Sequence, residues 1–140
     1  MPCVHAIERL AFRDPWSLGQ LAACLGEGGV FLVAELGGRF AGYVIAQRAA
    51  DEAEILNLAV DPVARRHGVG RALVREALTA LAARGARTVY LEVRESNAAA
   101  RRLYEAAGFT VSGRRRGYYR TPPEDAIVLR TAILADGGNA

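Results

Sequence analysis

Leu58-Ala59-Val60-Asp61-Pro62-Val63-Ala64-Arg65-Arg66-His67-Gly68-Val69-Gly70-Arg71 is the stretch on which the reading turns. An apolar run reads as a strand and stops at Asp61-Pro62. A loop with two arginines follows and passes through Gly-x-Gly into a helix. The N-terminus of a helix leaves its first N–H groups unpaired and carries partial positive charge. Glycines at 68 and 70 let the backbone approach an anion without a Cβ in the way. Arg65, Arg66 and Arg71 add full charge, and a pyrophosphate suits such a loop. A Rossmann fingerprint needs a third glycine, and a P-loop needs a lysine. Neither is present. A turn glycine that merely precedes a helix is the plainer reading of Gly-x-Gly alone. The preceding strand and the arginines favour the anion site.

Outward from this stretch the elements alternate at short intervals. Toward the N-terminus, residues 53–60 form the strand that enters the loop. Before it, Val30 to Leu36 and Arg39 to Gln47 read as a hairpin turned by Gly37-Gly38. Residues 4–12 have helical spacing, and Ser17 can cap a second short helix through Leu25. Toward the C-terminus, Val69, Leu73, Ala77, Leu78 and Leu81 form one stripe of the longest helix, which Gly85 stops. Thr88 to Val93 is a strand, and Asn97 to Ala107 a helix ended by Gly108. Phe109 to Ser112, extended toward Arg116, and Ala126 to Leu134 are the last strands. The order predicts an α/β (α+β) fold with one mixed, mostly antiparallel sheet. Residues 1–135 make one domain, and 136–140 a flexible tail.

Composition narrows the function classes. Of 140 residues, 51% are hydrophobic and 24% charged, which excludes disorder for most of the chain. No apolar run reaches the length of a membrane span, and the N-terminus lacks a secretory signal. All 18 basic residues are arginine. That removes Schiff-base chemistry and a lysine nucleophile. A net charge of +3 does not by itself call for nucleic acid. Cys3 and Cys24 make no disulfide framework, and no His/Cys/Asp spacing suggests a metal. A cytoplasmic protein with reduced thiols is expected. His5 and His67 are poor catalytic candidates, although His67 lies within the glycine loop. None of the three serines has a nucleophile-elbow context, so an acyl-enzyme is not expected.

Arg65-Arg66-His67-Gly68-Val69-Gly70 resembles the acyl-CoA signature Arg/Gln-x-x-Gly-x-Gly/Ala of the GNAT N-acetyltransferases. Leu91-Glu92-Val93-Arg94-Glu95-Ser96-Asn97 and Leu103-Tyr104-Glu105-Ala106-Ala107-Gly108-Phe109 are similar to the second half of that family's core. Gly113, Arg115-Arg116-Gly117-Tyr118-Tyr119 and Glu124-Asp125-Ala126 narrow the likeness to the ribosomal-protein-alanine N-acetyltransferases (RimI). The resemblance spans nearly the whole chain. It implies a sheet splayed around an acyl-CoA cleft, with helices on both faces. The family usually opens with a strand before its first helix. This chain opens almost directly in the helix, so that first edge strand is expected to be missing.

The resemblance also implies an activity. Acetyl would pass from acetyl-CoA, used as co-substrate without a metal, to the N-terminal alanine of a ribosomal protein or to other protein N-termini. Direct attack in a ternary complex is the expected route. Backbone N–H groups of Leu58, Ala59 and Val60 would polarise the thioester and bind the pantetheine arm. Residues Arg66 to Arg71 (His67, Gly68, Val69 and Gly70 among them) would take the pyrophosphate, with Arg65 beside them. Glu92 has two readings: a strand glutamate facing water, or the general base the family places there. Tyr104 is either a core aromatic or the family's general acid, since a phenol near pKa 10 can protonate a departing thiolate. Asn97 is a helix N-cap that in the family also touches the cofactor. Glu54 and Glu95 are weaker candidates for the base.

On the acceptor side, Arg114 to Arg120 interleaves arginine with Tyr118 and Tyr119. This segment is a charge-guarded edge, an RNA contact, or the peptide-facing loop the resemblance suggests. Trp16 is either a wall of the peptide cleft or a core anchor. The expected partner is a protein N-terminus, with no membrane and no direct nucleic acid, for a monomer or weak homodimer. The rival activities are acetylation of a small-molecule amine or lysine side chain, and CoA binding without turnover.

Overall fold

The computed structural model describes residues 28–65 and 67–133. Strand β1 spans Gly29–Leu36, β2 Arg39–Ala49 and β3 Glu52–Val60. A short 3-10 turn, Pro62–Ala64, leads to α1, Val69–Ala83. Then come β4 (Thr88–Arg94), α2 (Ala98–Ala106), β5 (Thr110–Arg120) and β6 (Pro123–Ala132). The helices expected over 4–12 and 17–25, the missing first strand, Trp16, His5, both cysteines and the 136–140 tail lie outside the described residues.

The six strands form one sheet in the order β1-β2-β3-β4-β6-β5. Every neighbouring pair is antiparallel except β3 and β4. That parallel pair is the one joined through α1, as a crossover requires. It is also the shortest, with Glu52 opposite Thr88, Ala53 opposite Val89 and Glu54 opposite Tyr90. Beyond Glu54 the two strands part. The register between β2 and β3 shifts there as well: Ile45 faces Asn57 and Ala46 faces Ile55, so Leu56 is the extra residue of a bulge. Extra residue and splay coincide, because a bulge bends its strand and increases local twist.

The core explains why α1 lies where it does. Its buried residues are Val69, Leu73, Val74, Ala77, Leu78, Leu81 and Ala82, a stripe at helical spacing. They pack mainly on β1, β2 and β3, and the same core holds Val89, Leu91 and Val93 of β4, whose alternation with Tyr90, Glu92 and Arg94 leaves the latter three on the opposite face. The same core takes Tyr104 of α2 and Phe109 just beyond it. Among the described residues both α-helices therefore cover one face. The opposite face carries a smaller cluster around Tyr43 and Ile45, with Phe31, Phe40, Leu56 and Ala59 against them. The hairpin, α1, β4 and α2 fall within two residues of their expected bounds. β5 runs on through Tyr118 and Tyr119 to Arg120, beyond the expected Arg116, so of the readings left open for 114–120 it is an edge strand and not a connecting loop. It is continuous because β6 begins early, at Pro123, and supplies partners for its far end.

Candidate functional site

The parting of β3 and β4 opens a cleft of about 480 Å³. One wall is β3 from Ile55 to Leu58, and the other is β4 from Leu91 to Arg94. Asn97, Ala100 and Tyr104 of the α2 region close one side, and Tyr119 of β5 the other. The wall at the bulge is tethered: Asn57 Nδ2 donates to the hydroxyl of fully buried Tyr43 at 3.0 Å. Nothing in the sequence drew attention to Asn57, since its partner is fourteen residues away on the neighbouring strand.

A second depression, about 440 Å³, continues along β3 and α2. It is lined by Val60, Ala64, Arg65, Gly68 to Arg71 and Leu103. Asp61 organises its entrance by accepting from the Val63 N–H at 3.0 Å, which caps the 3-10 turn. The two glycines act differently. Gly68, the N-cap of α1, has a left-handed backbone (φ +76°) with open space where a Cβ would stand. Gly70 sits where a Cβ would come within 3.3 Å of Leu103 Cδ2 and 3.7 Å of Val60 Cγ2. Gly68 is therefore required by backbone conformation, and Gly70 by the contact between α1 and α2. Val69 is buried, so only its backbone faces the depression. Ala59 likewise turns its side chain to the far-face cluster. Arg65 and His67 are exposed, and Arg66 lies outside the described residues.

Glu92 and Tyr104 both line the cleft. Glu92 projects from the face opposite the helices, with its side chain only 15% exposed. Its Oε1 stands 3.4 Å from Nε of Arg115. It also borders a smaller cavity of about 350 Å³ shared with Glu54, Tyr90 and Arg115. Burial, and then the charge of Glu92, raise the pKa of Glu54 above the usual carboxylate range. The same carboxylate raises the pKa of the Tyr118 phenol. Tyr104 is buried edge-on against Phe109, at 5.5 Å between ring centres. Burial pushes its pKa far above the usual phenol range, so its hydroxyl keeps its proton. Asn97 accepts from the Ala100 N–H at 3.1 Å and lines the cleft, so capping and cleft contact coexist.

The two tyrosines of β5 part company. Tyr119 enters the cleft under the guanidinium of Arg94, at 4.3 Å. Tyr118, half exposed, stands beside Glu92 and beneath Arg115, 5.6 Å from the ring centre. Arg94 is itself held by the carbonyls of Thr121 and Pro122, both at 3.0 Å, and by Glu124 at 3.4 Å. Glu95 lies outside the cleft and pairs with Arg114. Sequence reasoning gave no role to Arg94, Glu124 or the Arg115–Glu92 pair, because each is a partnership across strands far apart in the chain. Among the described residues no cluster of His, Cys, Asp or Glu could hold a metal, and no helix is long and apolar enough to cross a membrane.

Chemically, this is a narrow opening between strands with unpaired backbone along one wall. A carboxylate and a protonated phenol border it, and a helix N-terminus with arginines lies at its end. The arrangement suits a long ligand with a phosphorylated tail and a reactive head near Glu92. Comparison with known proteins agrees. Residues 3–109 match the model of the acetyltransferase (GNAT) family. The chain is 42% identical over 135 residues to the [ribosomal protein bS18]-alanine N-acetyltransferase of Escherichia coli K12, covering 95% of this chain and 91% of that one. The crystal structure of the ribosomal-protein-S18-alanine N-acetyltransferase from Escherichia coli superposes with a TM-score of 0.76 at 41% identity, over 95% of this chain and 87% of that one. A putative streptothricin acetyltransferase from Bacillus anthracis, solved with acetyl coenzyme A, matches with a TM-score of 0.70 at 25% identity, over 76% of this chain and 63% of that one.

Proposed function

The chain belongs to the GNAT acetyltransferase family and is an acetyl-CoA-dependent N-acetyltransferase, and we propose that its acceptor is the N-terminal alanine of ribosomal protein bS18. The observation that carries the proposal is the splay of β3 from β4, bordered by Glu92 and Tyr104 and continued to the N-terminus of α1. The identity to the bS18-alanine enzyme supplies the acceptor.

We assign the roles on this geometry and on the family resemblance. Bound acetyl-CoA supplies a thioester, an acyl donor that an amine attacks directly. The unpaired β3 edge, with Leu58, Ala59 and Val60, takes the pantetheine arm by strand-like hydrogen bonds and polarises the carbonyl. Arg65, Arg66, Arg71 and the α1 N–H groups at His67 to Gly70 hold the pyrophosphate. Glu92 takes the proton of the acceptor ammonium, directly or through a water. Tyr104, kept protonated by burial, donates to the departing thiolate, and Asn97 orders the adjoining cleft wall. Tyr119 and Tyr118 border the acceptor on the β5 side. An acceptor on the ribosome places the reaction in the cytoplasm. It needs neither membrane nor direct nucleic-acid contact, and a monomer or weak dimer suffices.

A mass-spectrometric transfer assay tests this. Purified protein and acetyl-CoA meet a pool of alanine-starting peptides, other-starting peptides, N-blocked peptides with internal lysine, and a polyamine. Acetyl is expected mainly on the α-amine of alanine-starting peptides. Acetyl on lysine or polyamine replaces the acceptor. Acetyl-CoA binding without transfer to any of them overturns the proposal. Glu92→Gln and Tyr104→Phe are each expected to lower kcat by about a hundredfold or more. Their affinity for acetyl-CoA, measured by calorimetry, should be unchanged.

A further inference from the structure

Between Arg115 and Tyr119, β5 takes four steps while its partner β6 takes two, from Ala126 to Glu124. Two extra residues are therefore thrown out of an edge strand, around Gly117 with its left-handed φ of +61°. A bulge at a sheet edge frees backbone groups and has little to fix its shape. Here one carboxylate fixes it. Asp125 sits opposite the bulge, and its Oδ1 accepts from the Gly117 N–H at 2.8 Å. Its Oδ2 takes Arg114 Nη1 at 2.9 Å. The other arm of that guanidinium, Nη2, reaches Glu95 Oε2 at 2.6 Å. The backbone closes the ring, because the Glu95 N–H donates to the Asp125 carbonyl at 3.1 Å.

The consequence lies on the opposite face. Arg114 is opposite Ile127, a residue of the helix-side core, whereas Arg115 is opposite Ala126, which also faces Arg94. Successive strand residues point to opposite faces. Gripping Arg114 on the helix side therefore presents Arg115 on the other; the bulge held at Gly117 breaks the alternation and brings Tyr118 to that same face, and both stand at Glu92. The anchor is well chosen: Glu95 follows directly on the strand bearing Glu92 and precedes Asn97, which caps the helix bearing Tyr104.

We propose that Asp125, with Arg114 and Glu95, is a positioning element for the acceptor: it locks the β5 bulge so that Tyr118 and Arg115 form the acceptor side of the Glu92 site. This rests on the acetyltransferase reading of the cleft and adds residues that touch neither substrate. Asp125→Ala loses both the bulge bond and the ion pair. Asp125→Asn keeps an acceptor for Gly117 and loses the charge.

Kinetics and amide hydrogen exchange together test the proposal. The kinetics use whichever amine the wild-type protein acetylates best, so a wrong acceptor assignment leaves the comparison intact. In Asp125→Ala, kcat/KM for the acceptor should fall between about tenfold and a hundredfold, with KM for acetyl-CoA unchanged. Asp125→Asn should fall between it and wild type. Exchange at the Gly117 amide should quicken in Asp125→Ala, while Val89 and Leu91 in the core stay protected. Unchanged acceptor kinetics alongside a fast Gly117 amide would overturn the proposal. So would an unchanged Gly117 amide, or an equal loss of affinity for acceptor and acetyl-CoA.

Discussion

Glu54 and Glu92 project from adjacent strands onto one cavity, and their charges oppose each other. The conflict is partly relieved by Arg115, which lowers the Glu54 pKa less than burial and Glu92 raise it. Such a carboxyl is a pH-dependent liability. Its folded pKa lies above the unfolded one, so the folded state holds the proton more tightly. Its favourable contribution is complete below the unfolded carboxylate pKa and is lost as pH rises through the folded value. Glu54→Gln should therefore stabilise the protein at pH 7, with the difference vanishing near pH 4. Denaturant unfolding at the two pH values checks this, and equal curves at pH 7 would refute it. Tyr104 follows the same sign at higher pH, since its burial favours the protonated phenol. Asp125 and Glu124 follow the opposite sign. The Gly117 and Ser96 N–H groups, with Arg114 and Arg94, hold their pKa values down, so their contribution is present at neutral pH and lost in acid. At this scale the sequence named Glu92 and Tyr104 through resemblance, while alternation alone placed Glu92 on a strand face without saying what it faced.

At the scale of elements, the α1 entrance shows how one motif serves two physical needs. Gly68→Ala puts an L side chain into a left-handed backbone, at a cost of about 1–2 kcal/mol. No protein atom resists the added methyl group, but Gly68 lines the depression, so the methyl group also stands where the pyrophosphate approaches. Gly70→Val instead drives methyl groups against Leu103 and Val60, an overpacking of about 1–3 kcal/mol that levers α2 away from α1. Because α2 carries Tyr104, Gly70→Val should lower kcat as well as acetyl-CoA affinity. Gly68→Ala should lower stability and acetyl-CoA affinity while leaving kcat at saturating acetyl-CoA unchanged. Thermal unfolding with steady-state kinetics separates the two, and identical profiles would contradict the division. The glycine spacing was legible in the sequence, and so were the helices and strands that local periodicity dictates. The continuity of β5 was not. The sequence carried the strand toward Arg116 and left 114–120 open between a strand edge and a loop, and pairing with Pro123 to Ile127 makes it strand. The Asp125 ring was hidden for the same reason: its bonds join residues between eight and thirty positions apart.

For the whole molecule, the sheet is two halves held by little at their junction. On one side are β1, β2 and β3, with long antiparallel registers; on the other are β4, β6 and β5. Among the described residues three paired positions at the Glu54 end join them, while α1 packs mainly on β1, β2 and β3. Composition and element order predicted a mixed sheet, and the resemblance implied that the Leu58-Ala59-Val60 strand splays from its neighbour, but no local pattern marked the residue at which it opens. That depended on Leu56 as an extra residue, which has no signature in an apolar run. The opening has an energetic consequence. A ligand that hydrogen-bonds along the β3 edge while touching β4 and α2 replaces the missing ladder and binds only the folded chain. Acetyl-CoA at a hundred times its Kd should therefore add about 2.7 kcal/mol of stability. The protection it brings should be uneven. Amides of β3 from Ile55 to Val60 and of the α1 entrance should slow markedly in hydrogen exchange, whereas the paired positions of the β5–β6 hairpin on either side of its bulge should change little. Uniform protection across the sheet would mean that the ligand stabilises the molecule without bridging its halves.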